Sequence, residues 1–441
     1  MTAWRTLASV VVALAVVRCG YGQTYSLVET SKAGDCARLH LEMKLTGELR
    51  VVRDGKVAPV PLAATAVHEF PERILAVDPT GLPTKVARVY EQAQAVIRFN
   101  NEPSERTLRP DRRLIVAQCP KDEILVYAPA GPLTREELDL TSQHFDTLHV
   151  TGLLPGRAVS VGETWKVGNG VAQGLCAFEG LTAQDLACKL EAVQDNVATV
   201  SFKGTASGID TGASVKLTVT GSYRFDLNQK RLVALEWSQK DDREQGPASP
   251  AMAGELTTTL QRKVIEQPNS LSDVALVSVP DDFEVPPVMT QLLYRAPKSR
   301  FELALGREWH LVGQTEDHVI LRLMERGDFV AQVTLTPWTK AEPGKHLTPE
   351  EFKQAMSETT GWEPEQELQA DEVPLDGDRW CYRLLQAGKL DGIKVTQSFY
   401  VVASPTGEQL VLAFTMTPAQ VAKLGTRDLA LVGSLSFPAK K

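Results

Sequence analysis

The chain has 441 residues, of which 43% are hydrophobic and 23% charged, and its formal net charge at pH 7 is -8. This length exceeds what one hydrophobic core usually serves, so two or three domains are expected. The composition is typical of folded proteins, and the acidic balance argues against a nucleic-acid partner, which normally requires a basic surface. The tightest basic group, "RPDRR" at 109–113, contains Asp111 and is interpreted as a solvated turn.

The N-terminal residues 1–22 have the pattern of a signal peptide. An early cation precedes an apolar run from Leu7 to Val17, which is too short to span a bilayer, and small residues stand at -3 and -1 of a cleavage site after Gly22. The alternative is a lipoprotein anchored through Cys19, but Arg18 stands where lipoprotein processing requires a small residue. The pattern therefore favours cleavage over lipidation. We expect an exported protein, periplasmic or extracellular, with no transmembrane segment in the mature chain.

Five cysteines follow that cleavage site, and their odd number excludes complete internal pairing. Cys176 and Cys188 flank a short loop, and a disulfide between them would contribute about 3 kcal/mol by the loop-entropy argument. Two buried free thiols are the alternative, and the sequence leaves both open.

Residues 24–265 are predicted to form a β-rich, antiparallel domain. A hairpin is predicted around "DGK" at 54–56, and three successive strands are predicted within 198–239. In the second of these strands, Val215, Leu217 and Val219 alternate with polar residues, as expected for a strand with one buried face. Such consecutive strands form a sheet that buries one side and exposes the other.

A single helix is predicted to interrupt these strands, from about 135 to 145. Thr134 and Glu137 form a capping box at its start. The later segments "GNGVAQG" at 168–174 and "KDDREQGPASP" at 240–250 are interpreted as turns. Neither the spacing of a dinucleotide loop nor the alternating oxygens of a calcium loop is present in them.

The composition changes after residue 265. Residues 266–299 carry several prolines without a sustained period, and they are predicted to be an interdomain linker. Residues 300–441 are predicted to contain four strands, a helix capped by Thr348 with Gly361 after its end, three more strands and a final helix starting at Thr417. This order predicts an antiparallel sheet with helices packed on it, and an α+β class for the chain.

The C-terminal third resembles the PsbP-like α-β-α sandwich family in its order of elements, its "LGREWHLV" segment and its closing "LVGSLSF". The resemblance implies a non-catalytic accessory or binding domain and supplies no catalytic residues. The first region, with "LLPGRAVSVGETWKV" and "GSYRFDLNQKRLVAL", resembles uncharacterised exported domains of planctomycete-type bacteria. That likeness implies export and strand topology, without chemistry.

The segment "HFDTLHV" at 144–150 contains the candidates for a metal site, His144, Asp146 and His149. Two histidines five residues apart share neither a helix face nor a strand face, so the spacing argues against a metal. No catalytic or cofactor-binding residue and no cofactor is assigned, because no nucleophile or metal motif is recognisable.

The sequence therefore favours an exported, non-enzymatic envelope or periplasmic protein. It would act as a binding or accessory module for a partner protein or a hydrophobic small molecule. The alternative is a secreted hydrolase whose active site is assembled from loops, because catalytic groups can meet in space without a sequence motif.

Overall fold

The computed structural model describes residues 23–53, 56–119, 124–142 and 145–438. In these residues, nearly all strands belong to one fourteen-stranded and one seven-stranded sheet, both antiparallel, and two small two-stranded sheets complete the set. The chain is therefore strand-rich with antiparallel sheets, as the sequence predicts. The signal-peptide residues and Cys19 lie outside the described ranges.

The strands of the first part of the chain are β1 (Thr24–Ser26), β2 (Cys36–Arg53), β3 (Lys56–Val77), β4 (Pro83–Val89), β5 (Gln92–Phe99), β6 (Glu102–Thr107), β7 (Leu114–Gln118), β8 (Leu125–Tyr127), β9 (Ala158–Ser160), β10 (Thr164–Lys166), β11 (Gly180–Gln184), β12 (Ala187–Gln194), β13 (Val197–Asp210), β14 (Ala213–Asp226), β15 (Arg231–Arg243) and β16 (Ala251–Val264). The strands of the second part are β17 (Leu292–Arg295), β18 (Glu302–Leu305), β19 (Trp309–Gln314), β20 (Val319–Glu325), β21 (Asp328–Trp338), β22 (Trp362–Glu372), β23 (Trp380–Leu390), β24 (Ile393–Ala403) and β25 (Gln409–Met416). The α-helices are α1 (Arg135–Thr141), α2 (Thr147–Val150), α3 (Asn169–Leu175), α4 (Pro287–Thr290), α5 (Pro349–Ser357), α6 (Val421–Leu424) and α7 (Arg427–Ser434). Short 3-10 helices cover Pro110–Arg112, Thr151–Leu153, Asn269–Leu271, Pro297–Ser299 and Pro418–Gln420.

The fourteen-stranded sheet, which we call the large sheet, has the order β10-β12-β13-β14-β15-β16-β2-β3-β4-β7-β8, with β11 on β13 and the β5–β6 pair on β3. The predicted hairpin joins β2 to β3, and its turn residues 54–55 lie outside the described ranges. On β14, Val215, Leu217 and Val219 are buried while the residues between them are exposed, which confirms the predicted alternation. One face of these strands thus faces the core and the other faces water.

The segment between β8 and β11 carries α1, α2 and α3, whose buried residues join the large-sheet core. The predicted capping box is present, since Glu137 N donates to Thr134 Oγ1 at 3.2 Å and Thr134 N donates to Glu137 Oε2 at 2.9 Å. The predicted helix end is wrong, because α1 stops at Thr141 and a second short helix begins after Asp146. The Asp146 carboxylate caps this second helix by accepting from Leu148 N.

The predicted turn at 168–174 is also wrong, because these residues begin α3. Ala172 and Leu175 of this helix are fully buried in the core. Burial of these side chains outweighs the low helix propensity of the three glycines in the segment.

Residues 271–289 of the segment 266–299, which was predicted to be a linker, pack against the face of the large sheet opposite to the helices, whereas Leu292 and Ala296 belong to the main core. Leu271, Leu276 and Val279 contact Val116 and its neighbours on β4, β7 and β8. The Lys85 ammonium, almost fully buried, donates to the carbonyl oxygens of residues 280 and 282. The segment is therefore fastened to the sheet by both apolar contacts and hydrogen bonds.

The seven-stranded sheet, which we call the second sheet, has the order β19-β20-β21-β25-β24-β23-β22. The predicted helix with Thr348 as its N-cap is present as α5, where Thr348 and Glu351 form a capping box, but it ends at Ser357, earlier than the predicted end before Gly361. Strand β22 was not predicted, since its side chains are mostly exposed and acidic and show no apolar alternation. The predicted final helix is broken at Gly425, whose φ of 61° interrupts it between α6 and α7.

The two parts of the molecule share one continuous apolar core. Leu133 pairs with Leu292 in a parallel bridge, and the Arg135 guanidinium donates to the Trp309 carbonyl oxygen at 3.2 Å. Within the described ranges, no helix is both long enough and apolar enough to cross a bilayer.

Candidate ligand-binding cavity

Seven neighbouring strands of the large sheet, in the order β5, β3, β2, β16, β15, β14 and β13, line one cavity of about 480 Å³. In a flat sheet the outer two of seven strands would be about 29 Å apart. Their convergence on one space means that the sheet is concave here. The end of α1 and residues 176–178, just after α3, cover the opening from the other side. We call this space the main cavity because of its mostly apolar wall and not because of its size, since a space of about 600 Å³ lies beside Arg231 and Arg262.

Small and apolar side chains form most of the cavity wall. Ala64 and Ala66 on β3 pair with Leu45 and Met43 on β2, and their partners across the other ladder are residues 97 and 95 of β5. Because successive side chains of a strand point to opposite faces, alanines at these inward positions leave the space that a larger residue would fill. The sequence analysis missed this feature, since alanine is a weak signal in a strand pattern.

A stripe of polar side chains crosses the cavity wall on β15, at Gln239, Asp241 and Arg243. Trp237 Nε1 donates to Gln239 Oε1 at 2.8 Å, and Gln239 Nε2 donates to Asp241 Oδ1 at 2.9 Å. We call these three cavity residues the β15 stripe. The stripe follows the buried Trp237 along β15, and its residues become more exposed from Gln239 to Arg243. One side of an otherwise apolar cavity therefore offers hydrogen-bonding groups.

Arg243 is held in the stripe by an ion pair. Its Nη1 donates to Asp210 Oδ2 at 3.2 Å, whereas its Nε is buried without a hydrogen-bond partner in the described part of the chain. Burial raises the pKa of Asp241 to about 6, although the Gln239 hydrogen bond and the Arg243 charge act in the opposite direction. The Asp241 carboxylate is therefore costly to ionise where it stands.

The prediction of a solvated turn at 240–250 is wrong for its first residues, because β15 extends to Arg243. Asp241 faces the cavity, and Asp242, the other residue considered for calcium, is exposed on the opposite face. The signal that would have revealed the stripe is the alternation Trp237, Gln239, Asp241, Arg243. It was missed because polar residues at inward positions look like the start of a loop.

The predicted metal candidates do not form a described site. His144 lies outside the described residues, and in the described ranges no group of three or more His, Cys, Asp or Glu residues is placed to hold a metal ion. Asp146 is engaged by Arg88, whose Nη1 donates to Asp146 Oδ2 at 2.7 Å. The His149 ring lies against Gly174 of α3, where a Cβ would come within 2.1 Å of the ring Nδ1. His149 thus packs α2 onto α3.

Asp146 belongs to a buried charge network that fixes the helices to the large sheet. Arg88 on β4 also donates through Nε to Glu72 Oε2 at 2.8 Å, and Thr147 Oγ1 donates to the same oxygen. Burial disfavours the Asp146 carboxylate, but the Arg88 guanidinium outweighs it and holds the pKa of Asp146 below its ordinary value. The network joins β3, β4 and α2 at the inner face of the sheet, beneath the segment that covers the main cavity.

A smaller set of polar groups lines a second cavity of about 470 Å³ beside the main one. Asp146, His149 and Glu179 line it together with Arg307 from the second part of the chain. It shares Ser142 and residues 177–178 with the main cavity. Of the two acids on its wall, Asp146 is already bound by the Arg88 guanidinium, which donates to both of its carboxylate oxygens.

Cys176 and Cys188, for which the sequence left a disulfide and two free thiols equally open, are both free thiols in the structure. Cys188 Sγ contacts the Leu153 carbonyl oxygen at 3.6 Å, and Cys176 faces the main cavity. Burial raises the pKa of both thiols to about 12, with the Asp241 charge adding to the effect on Cys176. The buried-thiol alternative describes this pair, and such thiols are poor nucleophiles.

Two arginines of the basic group at 109–113 form hydrogen bonds and ion pairs within the protein. The Arg109 guanidinium donates to both carboxylate oxygens of Glu137, and the Arg112 guanidinium donates to the Asp111 carboxylate and the Pro132 carbonyl oxygen. The prediction of a solvated turn is thus wrong for Arg109 and Arg112. These two cations fasten α1 and the turn before it to the neighbouring strands.

No protein-family model matches the chain, and no curated protein matches it in sequence. Among solved structures, the PsbP protein CyanoP of Synechocystis sp. PCC 6803 is similar over 34% of this chain and 93% of its own, at 14% identity and a TM-score of 0.27. The Ran-binding protein Mog1p of Saccharomyces cerevisiae is similar over 33% of this chain and 95% of its own, at 11% identity and a TM-score of 0.26.

A protein from Bacteroides thetaiotaomicron VPI-5482 is similar over 34% of this chain, at 12% identity and a TM-score of 0.26, and the match spans half of that protein's length. The chain thus has PsbP-like and Mog1-like neighbours over about a third of its length, at low identity. These scores assign the chain to no family and transfer no activity.

Proposed function

We propose that the protein is an exported, non-enzymatic binding protein that holds an amphipathic small molecule in the main cavity. The observation that carries the proposal is a space of about 480 Å³ with an apolar wall and one polar stripe. Ligand sites of small molecules have this size and this mixture of a mostly apolar wall with few polar groups. The signal-peptide pattern of residues 1–22 supports export.

We propose further that residues 300–441 are a PsbP-like accessory domain that presents surfaces to a partner protein. The support is the antiparallel second sheet, with the α5 side chains Phe352 and Met356 packed on one face and the α7 side chains Leu431 and Val432 in the core on the other. In this view the ligand and the partner occupy different parts of one chain.

The binding proposal is tested with N-phenyl-1-naphthylamine, a neutral apolar dye whose fluorescence rises in apolar surroundings. The full chain, purified after export from a bacterial host, is titrated with the dye beside Ala66→Phe and Ala95→Phe. These alanines line the cavity from neighbouring strands, so each phenylalanine fills part of the space. Dye affinity should fall by about tenfold or more in both variants, since each removes apolar volume from the site.

The matched control is Ala63→Phe. Ala63 lies on the same strand as Ala64 and Ala66 but points to the opposite face of the sheet and does not line the cavity. Its dye affinity should equal that of the unmodified chain. Circular dichroism and thermal melting show that each variant is folded. Equal dye binding in all four proteins would contradict the main cavity as the site, and chemical conversion of bound compounds would contradict a non-enzymatic role.

A further inference from the structure

The charged groups on the wall of the main cavity are predominantly acidic. Asp139, Asp210 and Asp241 face the space, whereas Arg243 is the only cation among its lining residues in the described part of the chain. Two of these carboxylates already have cationic partners. Asp210 pairs with Arg243 at 3.2 Å, and Asp139 lies 3.8 Å from an Nη atom of Arg106.

Asp241 is the carboxylate without an ion pair of its own, since the nearby Arg243 is paired with Asp210. In the described part of the chain it forms no ion pair, and its one hydrogen bond is the amide donation from Gln239 to Oδ1. Its partner on β14 is the apolar Leu217, and this position places a negative charge at the edge of an apolar space. A buried carboxylate without a cationic partner is unfavourable, and a ligand that supplies the cation would remove that cost.

Resting on the proposed function, we propose that the ligand of the main cavity is a cationic amphiphile, whose ammonium group pairs with Asp241 and whose apolar chain lies along Ala64, Ala66 and the leucines of β2 and β14. The ammonium would donate to the free oxygen Oδ2 of Asp241. The raised pKa of Asp241 is consistent with a site that lacks its counter-ion.

An anionic amphiphile is the principal rival, because Arg243 Nε is buried without a partner. The guanidinium charge is already met by Asp210, however, so an anionic head would approach a neutral pair and face the Asp241 carboxylate. Two negative charges close together repel each other more strongly in a partly buried site than in water. A neutral alcohol would satisfy Asp241 as a hydrogen-bond donor but would not compensate its charge.

The test displaces bound N-phenyl-1-naphthylamine from the full chain with dodecylamine, dodecanol or dodecanoate, which share one chain and differ in head group. At a pH of about 7.5 the amine is protonated, because its pKa is near that of lysine. Dodecylamine should displace the dye at about tenfold lower concentration than either competitor, which corresponds to one favourable charge pair.

Asp241→Asn keeps the shape and removes the charge, so it should abolish the preference for the amine while leaving dodecanol displacement unchanged. Asp242→Asn is the matched control, because Asp242 is the exposed neighbour on the opposite face of β15. It should retain the preference for the amine, whereas loss of the preference in both variants would indicate a general surface-charge effect and overturn the proposal.

Dye binding without any head-group preference, or with preference for dodecanoate, would also overturn this proposal and leave the proposed function standing. Failure of the dye to bind at all would overturn the proposed function itself. The two failures are thus distinguishable in one set of titrations.

Discussion

The two sheets of this molecule differ in how completely their faces are covered by other parts of the chain. In the second sheet both faces of the interior strand β24 are covered. Phe399 and Val401 belong to the apolar cluster that includes Phe352 of α5, while Tyr400 and Val402 belong to the main core. In the large sheet, strands such as β14 expose one face to water, and the other face is packed at one end and open at the main cavity. A fully packed sheet resists change at every position, whereas a sheet with an open concave face has room for a ligand.

The difference is rooted in side-chain size and polarity. The inward positions of β3 and β5 at the cavity include three alanines, and those of β15 change from Trp237 to Gln239, Asp241 and Arg243. The central strands of the second sheet instead present large apolar residues on both sides. The same antiparallel architecture therefore gives a filled core in one part and a lined space in the other.

The largest effect is expected from the charge network that holds the covering helices over the large sheet. Arg88→Met should lower the free energy of unfolding by about 3–5 kcal/mol, because it leaves the carboxylates of Glu72 and Asp146 buried without their cation. Urea unfolding of the full chain measures the change. Arg157→Met, which removes an exposed pair with Glu163, is the control and should cost less than about 1 kcal/mol. Equal effects would mean that the network does not anchor the helices.

A second prediction compares one substitution in the two sheets. Ala331→Leu in the second sheet should lower the free energy of unfolding by about 1–3 kcal/mol, since Ala331 is fully buried and the added atoms overpack the core. Ala66→Leu at the main cavity should change it by less than about 0.5 kcal/mol, because the side chain enters open space. Thermal or urea unfolding measures both. A large penalty for Ala66→Leu would show that the cavity is not open space.

The smallest predicted effect concerns Asp241 and pH. Its pKa is raised from 3.8 to about 6, so the protonated carboxyl stabilises the fold at low pH, and this contribution is lost as the pH rises through about 6. Asp241→Asn should therefore be more stable than the unmodified chain at about pH 8, by on the order of 1 kcal/mol, with the smallest difference near pH 4.

Unfolding measured in both proteins across this range isolates Asp241, because the other charged or titratable groups on the cavity wall, Asp139, Cys176, Asp210 and Arg243, are common to both. A stability difference that does not change with pH would contradict the assignment of a buried, ionising carboxyl at this position.

The sequence predicted the elements whose periodicity is strong and local. The alternation on β14, the capping box at Thr134 and the N-cap at Thr348 were confirmed, because each depends on residues close together in the chain. The exposed edge strand β22 was missed, since its exposed acidic side chains show no apolar period. Helix α3 was missed because burial of its apolar face, and not its propensity, makes it a helix.

The candidate site was not predictable in the same way. The main cavity depends on the concavity of seven strands, from β5 near residue 95 to β13 at residue 210, and on the helical segments that cover it. No local pattern carries that arrangement. Asp146 attracted attention as a metal ligand, but its partner Arg88 stands 58 residues earlier in the chain, and only the fold brings the two together.

The most direct test of the account is a crystal structure of the full chain with bound N-phenyl-1-naphthylamine. The account predicts dye density in the main cavity, between Ala66 on β3 and Leu217 on β14, beside the β15 stripe. Dye density only at another surface, with the main cavity occupied by ordered side chains, would contradict the central claim that the concave face of the large sheet is a ligand-binding site.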